Sequence, residues 1–216
     1  MKKMKYRVVG FIVFMIMLLT ACRNTSVDFA DLQVVQILCE GQKGSGVIYD
    51  IANGTVVIVT AAHVVEGADC AQIVWNNQSQ EKTETDHIYK VQGLDLAFLR
   101  VDEAMGTWSV CGDIVSDAHE KNEESLQELN LQGYDAYGTL RNTNAQILEE
   151  WIYVEDFGCH MMLGKGMAEA GMSGGPAWDD AESFAGIICG IDENNNVAIL
   201  PASVIKSEYS VLDWSE

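Results

Sequence analysis

Short runs of apolar and β-branched residues, separated by turn residues, constrain the fold of this chain more than any other feature of its sequence. Each run has the length and composition of a β-strand, and Asn53-Gly54 between two of them is typical of a hairpin turn. The first set of predicted strands covers residues 33–38, 46–50, 55–60, 71–75, 88–91 and 96–101. A second set covers residues 131–137, 146–154, 160–163, 184–191 and 197–200. The chain is therefore predicted to be all-β.

So many short strands with so little helix predict a barrel or a sandwich, and periodicity alone does not choose between them. One short helix is predicted after Pro201, over residues 202–207. The acidic stretch 117–130 lies between the two sets of strands and is predicted to be a linker. It divides the chain into an N-terminal unit, residues 31–116, and a C-terminal unit, residues 131–216.

The first 21 residues have the pattern of an export signal, with a basic start followed by an apolar run over residues 8–21. That run is shorter than the roughly 20 residues of a membrane-spanning helix. The ending Leu19-Thr20-Ala21-Cys22 resembles a bacterial lipoprotein signal. The resemblance implies cleavage before Cys22, lipidation of its thiol, and anchoring of the protein on the outer side of the cell membrane by a tether of residues 22–30. An uncleaved anchor or ordinary secretion are the alternatives.

A formal net charge of −19 limits the partners of this chain. So acidic a surface argues against binding nucleic acid, and against adhesion to anionic lipid through basic patches. It is compatible with the steering of cationic substrates, but a solvated, solubilising surface explains the charge better.

Five cysteines follow Cys22, namely Cys39, Cys70, Cys111, Cys159 and Cys189. An exported protein can form disulfides, but the count is odd and the pairing cannot be read from sequence. Buried free thiols are the alternative. No Cys-x-x-Cys or His-x-x-x-His spacing is present, so no metal site is predicted.

Three motifs carry the groups for nucleophilic catalysis. They are Val59-Thr60-Ala61-Ala62-His63, then Asp95-Leu96-Ala97-Phe98-Leu99, then Gly171-Met172-Ser173-Gly174-Gly175-Pro176. A serine hydroxyl needs a neighbouring imidazole to accept its proton, and the imidazole needs a carboxylate to fix its tautomer. Each residue alone has a structural alternative, and Asp86 and Asp102 are rivals for the carboxylate role. The order His, Asp, Ser is the one found in chymotrypsin-type enzymes, and it favours His63, Asp95 and Ser173 as a unit.

These motifs resemble those of the trypsin/chymotrypsin-like serine protease superfamily, in particular its compact bacterial branch with the Htr-type proteases. The resemblance covers residues 32–211 and implies two six-stranded antiparallel β-barrels with the active-site cleft between them. It implies a serine endopeptidase that acts on proteins or peptides through an acyl-enzyme, without metal or cofactor. Ser173 would be the nucleophile, His63 the base and Asp95 its orienting group. The backbone amides of Gly171 and Ser173 would form the oxyanion hole.

The same resemblance assigns the substrate-binding positions. Cys189, Gly190 and Ile191 would hold the substrate backbone. Met167 would lie at the floor of the specificity pocket and favour an uncharged side chain, although Glu169 nearby could restore negative charge. Met172 replaces the aspartate that pairs with a new N-terminus in digestive zymogens, so that route of activation is excluded. The alternative function is a catalytically silent, peptide-binding or stress-sensing lipoprotein with the same fold.

Overall fold

The structure, a computed structural model, describes residues 33–52, 54–76, 80–102 and 127–212. The predicted signal 1–21, Cys22, the tether 22–30, Cys111 and most of the predicted linker 117–130 lie outside the described residues. Within those ranges no helix has the length and apolar character that crossing a bilayer requires.

The N-terminal unit is one antiparallel sheet of seven strands that curls into a nearly closed barrel. The strands are β1 Val34–Cys39, β2 Gln42–Ala52, β3 Thr55–Thr60, β4 Ala71–Val74, β5 Lys82–Thr85, β6 Ile88–Lys90 and β7 Ala97–Val101. Their spatial order is β5-β4-β1-β2-β3-β7-β6. Strand β3 lies at the interior of the sheet, and five of its six residues are buried.

The C-terminal unit is a closed barrel of six strands in the order β10-β13-β12-β11-β8-β9. The strands are β8 Glu128–Tyr134, β9 Leu140–Val154, β10 Cys159–Gly166, β11 Pro176–Trp178, β12 Phe184–Ile191 and β13 Val197–Pro201. Helix α1, Ala202–Ser210, follows β13 directly. Pro201 precedes the helix in an extended conformation, as its fixed φ allows.

The predicted fold class is confirmed: the protein is all-β, with two antiparallel barrels and a short C-terminal helix. The structure adds two strands that the sequence did not reveal. Strand β5 has the polar sequence Lys-Thr-Glu-Thr and forms by pairing along its whole length with β4. Strand β11 has three residues and begins at a proline, so it carries neither the length nor the pattern of a predicted strand.

One hydrophobic cluster contains side chains of both barrels, and each barrel also has a cluster of its own. Aromatic side chains of both units meet in it: the ring of Tyr49 contacts those of Phe98 and Phe184, with centroids 6.3 and 6.2 Å apart. Tyr209 of helix α1 packs edge-on against Tyr49, with centroids 5.0 Å apart, and its hydroxyl donates a hydrogen bond to Asp50. The C-terminal helix therefore fastens the second barrel to the first.

We expect Tyr209→Ala to lower the free energy of unfolding by about 2 kcal/mol, since it removes a half-buried ring and leaves a cavity between the barrels. Tyr137→Ala is the matched control, because that ring is 92% exposed. Urea unfolding followed by tryptophan fluorescence measures both. Equal stability of the two variants would show that the helix does not fasten the barrels.

Candidate active site

His63 and Asp95 are brought together by the pairing of strands β3 and β7. Thr60, the last residue of β3, lies opposite Ala97, the first residue of β7. Residues that follow β3 and residues that precede β7 therefore emerge at the same end of the barrel. His63 lies three positions beyond Thr60, in a 3₁₀ turn formed by Ala62–Val65. Asp95 lies two positions before Ala97.

Asp95 holds His63 with both of its carboxylate oxygens. Oδ1 accepts a hydrogen bond from the His63 backbone N–H at 2.9 Å, and Oδ2 lies 2.8 Å from the ring Nδ1. Because an ionised carboxylate only accepts hydrogen bonds, the proton of the neutral ring resides on Nδ1. Nε2 is then left as the proton acceptor. The carboxylate is 14% exposed and the imidazole 49%, so the ring reaches solvent while its partner is largely covered.

The two rival carboxylates lie elsewhere. Asp102 accepts hydrogen bonds from Thr55 and Arg100 at the far end of β3 and β7. Asp86 is exposed, and its nearest histidine is His87, at 3.9 Å.

Ser173 stands in a tight loop that two glycines make possible. Gly171 and Gly174 have φ angles of +99° and +84°, a region that disfavours residues with a side chain. A Cβ on Gly171 would also lie 2.7 Å from the Tyr134 carbonyl oxygen. The N–H of Met172 donates to the Glu169 carbonyl, and that of Gly175 to the Met172 carbonyl. These bonds fold the chain back on itself on both sides of Ser173.

The amides predicted to form the oxyanion hole are available. Within the described residues, neither the N–H of Gly171 nor that of Ser173 donates a hydrogen bond, whereas the intervening N–H of Met172 does. Two unengaged amides on one loop can donate to a developing oxyanion.

Ser173, His63 and Asp95 line one open cleft of about 970 Å³. No hydrogen bond joins Ser173 to His63 in the structure, although both are among the described residues. Nucleophile–base hydrogen bonds of this kind are often long without substrate and shorten when substrate binds.

The strand edge predicted to bind substrate also faces the cleft, which Cys189, Gly190 and Ile191 all line. Strand β12 pairs with β13 on one side through Ile191, but its pairing with β11 reaches only to Ile187. Among the described strands, none covers the other side of residues 189–191. Such an open edge can accept an extended peptide by main-chain hydrogen bonds.

The turn between β9 and β10 forms one wall of the cleft, and its acidic residues give the cleft a negative charge. Neither feature was predicted from the sequence. The turn contributes Glu155, Asp156, Phe157 and Gly158 to the cleft. Glu66 also lines it, with its carboxylate 4.0 Å from the Lys90 ammonium. Within the part of the chain that the structure describes, no lysine or arginine lines this cleft. It therefore offers a negative potential to an incoming ligand.

Met167 and Met172 have different environments. Met167 is 67% exposed and is not among the residues that line the cleft; its carbonyl accepts a hydrogen bond from Thr143. Met172 is fully buried, and its sulfur accepts a hydrogen bond from the Glu169 N–H at 3.3 Å. Gly133 of β8 makes room for it, since a Cβ there would lie 2.8 Å from the Met172 Cα.

The cysteines of the described residues, Cys39, Cys70, Cys159 and Cys189, are free thiols. Burial is the main cause that raises the pKa of Cys189 well above its ordinary value, and the charge of Asp95 raises it further. Cys159 lies in the same core, and the same two causes raise its pKa. No three metal-ligating side chains of the described residues converge as a metal site.

The family model of the trypsin-like peptidase domain matches residues 44–187. The chain belongs to the trypsin-like peptidase family. As such it is a serine endopeptidase. The match begins two residues after the start of β2 and includes all three motifs identified above. No curated protein matches the chain by sequence.

Solved structures of bacterial proteases have the same fold as this trypsin-like peptidase. The active form of the Rv3671c protease from M. tuberculosis is 19% identical and has a TM-score of 0.67; the alignment covers 89% of this chain and 86% of that one. The MamO protease domain from Magnetospirillum magneticum is 18% identical, with a TM-score of 0.65 and coverage of 86% and 98%. The serine endoprotease from Yersinia pestis is 15% identical, with a TM-score of 0.63 and coverage of 87% and 67%. Likenesses at these identities establish the fold alone.

Iodoacetamide at near-neutral pH should modify Cys70 first and Cys189 last. Cys70 is exposed, whereas Cys189 is buried and its raised pKa keeps the thiol protonated, and the thiolate is the reactive form. Peptide mapping by mass spectrometry resolves each site, and the guanidinium-unfolded protein serves as the control in which the difference disappears. Alkylation of Cys189 as fast as Cys70 in the folded protein would contradict the burial described here.

Proposed function

We propose that this peptidase hydrolyses peptide bonds through a triad of His63, Asp95 and Ser173 and an acyl-enzyme intermediate. The observation that carries the proposal is the two-point hydrogen bonding of His63 by Asp95 at the rim of a cleft that Ser173 also lines. An imidazole held in this way has a fixed tautomer and orientation, as a general base requires.

The chemistry follows from the positions of these groups. His63 Nε2 accepts the Ser173 hydroxyl proton as Oγ attacks the scissile carbonyl carbon. The carbonyl oxygen becomes negative and accepts hydrogen bonds from the N–H groups of Gly171 and Ser173. The protonated imidazole, stabilised by Asp95, then gives its proton to the leaving amine. Water repeats the sequence on the acyl-enzyme and frees Ser173.

The substrate is proposed to be an extended segment of a protein or peptide. Its backbone would pair with the open edge at residues 189–191, which places the scissile bond beside Ser173. The carboxylates of Glu155 and Asp156 at the cleft favour segments with basic residues over acidic ones.

The location of the protein is proposed from its sequence. A basic start, an apolar run and Leu19-Thr20-Ala21-Cys22 support export and lipidation of Cys22. Several acyl chains hold a protein firmly on a membrane. The catalytic unit would then act on the outer side of the cell membrane.

A second candidate is a peptide-binding or stress-sensing lipoprotein that keeps the fold without catalysis. One observation favours it: Ser173 and His63 do not hydrogen-bond in this structure. The open strand edge at residues 189–191 could then bind peptides without cleaving them.

A fluorophosphonate probe distinguishes the two candidates, because it phosphonylates only a serine activated by a base. We expect the wild-type protein to be labelled and Ser173→Ala to be unlabelled. Ser210→Ala is the control, since that serine lies on helix α1 and its hydroxyl hydrogen-bonds to the Ser207 carbonyl, away from the cleft. A wild-type protein that is folded and stays unlabelled would leave the binding protein as the better description.

Asp95→Asn should lower kcat by about 10⁴-fold, because an amide at this position favours the wrong imidazole tautomer and does not stabilise the imidazolium. Asp102→Asn is the control: it neutralises another carboxylate of the same barrel, one that interacts with Arg100 and not with His63. Steady-state cleavage of a fluorogenic peptide measures both variants. Comparable losses in the two would argue against a specific role for Asp95.

A further inference from the structure

Ser45 joins the loop of the nucleophile to the opposite barrel. It lies on strand β2 and is completely buried. Its backbone N–H donates a hydrogen bond of 2.8 Å to the carbonyl of Ser173, and its hydroxyl donates one of 2.8 Å to the carbonyl of Gly171. The hydroxyl also accepts a bond of 2.7 Å from the N–H of Tyr134 on β8. One residue therefore links both barrels and the loop.

The direction of these bonds is fixed by chemistry. The Tyr134 N–H can only donate, so the Ser45 oxygen accepts there, and the single hydroxyl proton is left for the Gly171 carbonyl. The Ser45 carbonyl in turn accepts a hydrogen bond from the Thr60 hydroxyl at 2.7 Å. Every hydrogen-bonding group of Ser45 that faces the loop is satisfied, as burial of polar groups requires.

The end of a neighbouring strand explains why Ser45 can do this. The pairing of β2 with β3 begins at Val47, which lies opposite Val59, and β3 ends at Thr60. Beyond that point the edge of β2 has no strand partner on this side, so Ser45 can bind the loop instead. Gly174 fits tightly against the same place, since a Cβ there would collide with the Ser45 carbonyl oxygen and the Thr60 hydroxyl.

We propose that Ser45 is a positioning residue for the oxyanion hole, because its two bonds anchor the carbonyls of Gly171 and Ser173 and leave their N–H groups free to bind the oxyanion. This inference rests on the proposed function. The anchor is made of neutral hydrogen bonds alone. Met172, the buried residue between the two anchored positions, has no charge with which to hold the loop.

The test measures fluorophosphonate labelling at several probe concentrations, which yields the maximal labelling rate and the half-saturating concentration separately. Labelling of the wild-type protein but not of Ser173→Ala is established first, so a failure of the proposed function is recognised before Ser45 is examined. The variants are Ser45→Ala, Ser45→Cys and the control Thr85→Val. Thr85 is likewise buried in the N-terminal barrel, but its hydroxyl binds the Arg100 carbonyl and does not touch the loop.

We expect Ser45→Ala to lower the maximal labelling rate by about tenfold or more, somewhat less than loss of an oxyanion donor itself. The half-saturating concentration and the pH midpoint of labelling should stay unchanged, because the cleft walls and the His63–Asp95 pair are not altered. Ser45→Cys, with its weak S–H donor, should fall between Ser45→Ala and the wild type. Thr85→Val should label at the wild-type rate.

Two results would overturn the proposal: a folded Ser45→Ala with the wild-type maximal rate, or a Thr85→Val that loses as much rate as Ser45→Ala. Thermal unfolding of each variant shows whether it is folded. Should Ser45→Ala not fold, Ser45→Cys decides the question, and a wild-type rate in that variant would overturn the proposal.

Discussion

The packing of two barrels against one shared hydrophobic cluster is the contact on which the rest of this structure depends. Tyr49 and Phe98 of the first barrel meet Phe184 of the second, and Tyr209 closes the cluster from the C-terminal helix. Neither barrel contains a complete site. His63 and Asp95 come from the first barrel, and Ser173 and the open strand edge come from the second. The apolar contact therefore sets the geometry of the polar groups at the cleft.

Buried hydrogen bonds position the loops at the cleft more closely than the apolar core can. Hydrophobic contacts are not directional, so they bring the barrels together without fixing the position of a loop. Hydrogen bonds are directional, and a buried one left unmade destabilises the protein. Ser45 and Thr60 form such bonds where the barrels meet, beside the loop that contains Ser173. Hydrogen bonds also orient His63. Its 3₁₀ turn places it at the rim of the cleft, and two hydrogen bonds to Asp95 fix its orientation there.

Local patterns and resemblance predicted the fold and three residues that the structure brings to one cleft, because both depend on short stretches of sequence. His63, Asp95 and Ser173 each lie in a distinctive motif, and the structure brings all three to one cleft. What the sequence could not reveal depends on contacts between distant segments. Strand β5 is polar and exists through its pairing with β4. No local pattern distinguishes Ser45 from other serines, because its contacts are with a loop distant in sequence. Met167 is exposed, whereas the resemblance placed it at the floor of a pocket.

The acidic residues around the cleft affect how two copies of this protein approach each other. Most of the charge on this chain is negative, so a neighbouring copy presents carboxylates to the carboxylates that line the cleft. Juxtaposed like charges oppose encounter, and at low ionic strength the repulsion extends farther from the surface. The charge around the cleft would therefore oppose the approach of one copy of the protein to the cleft of another.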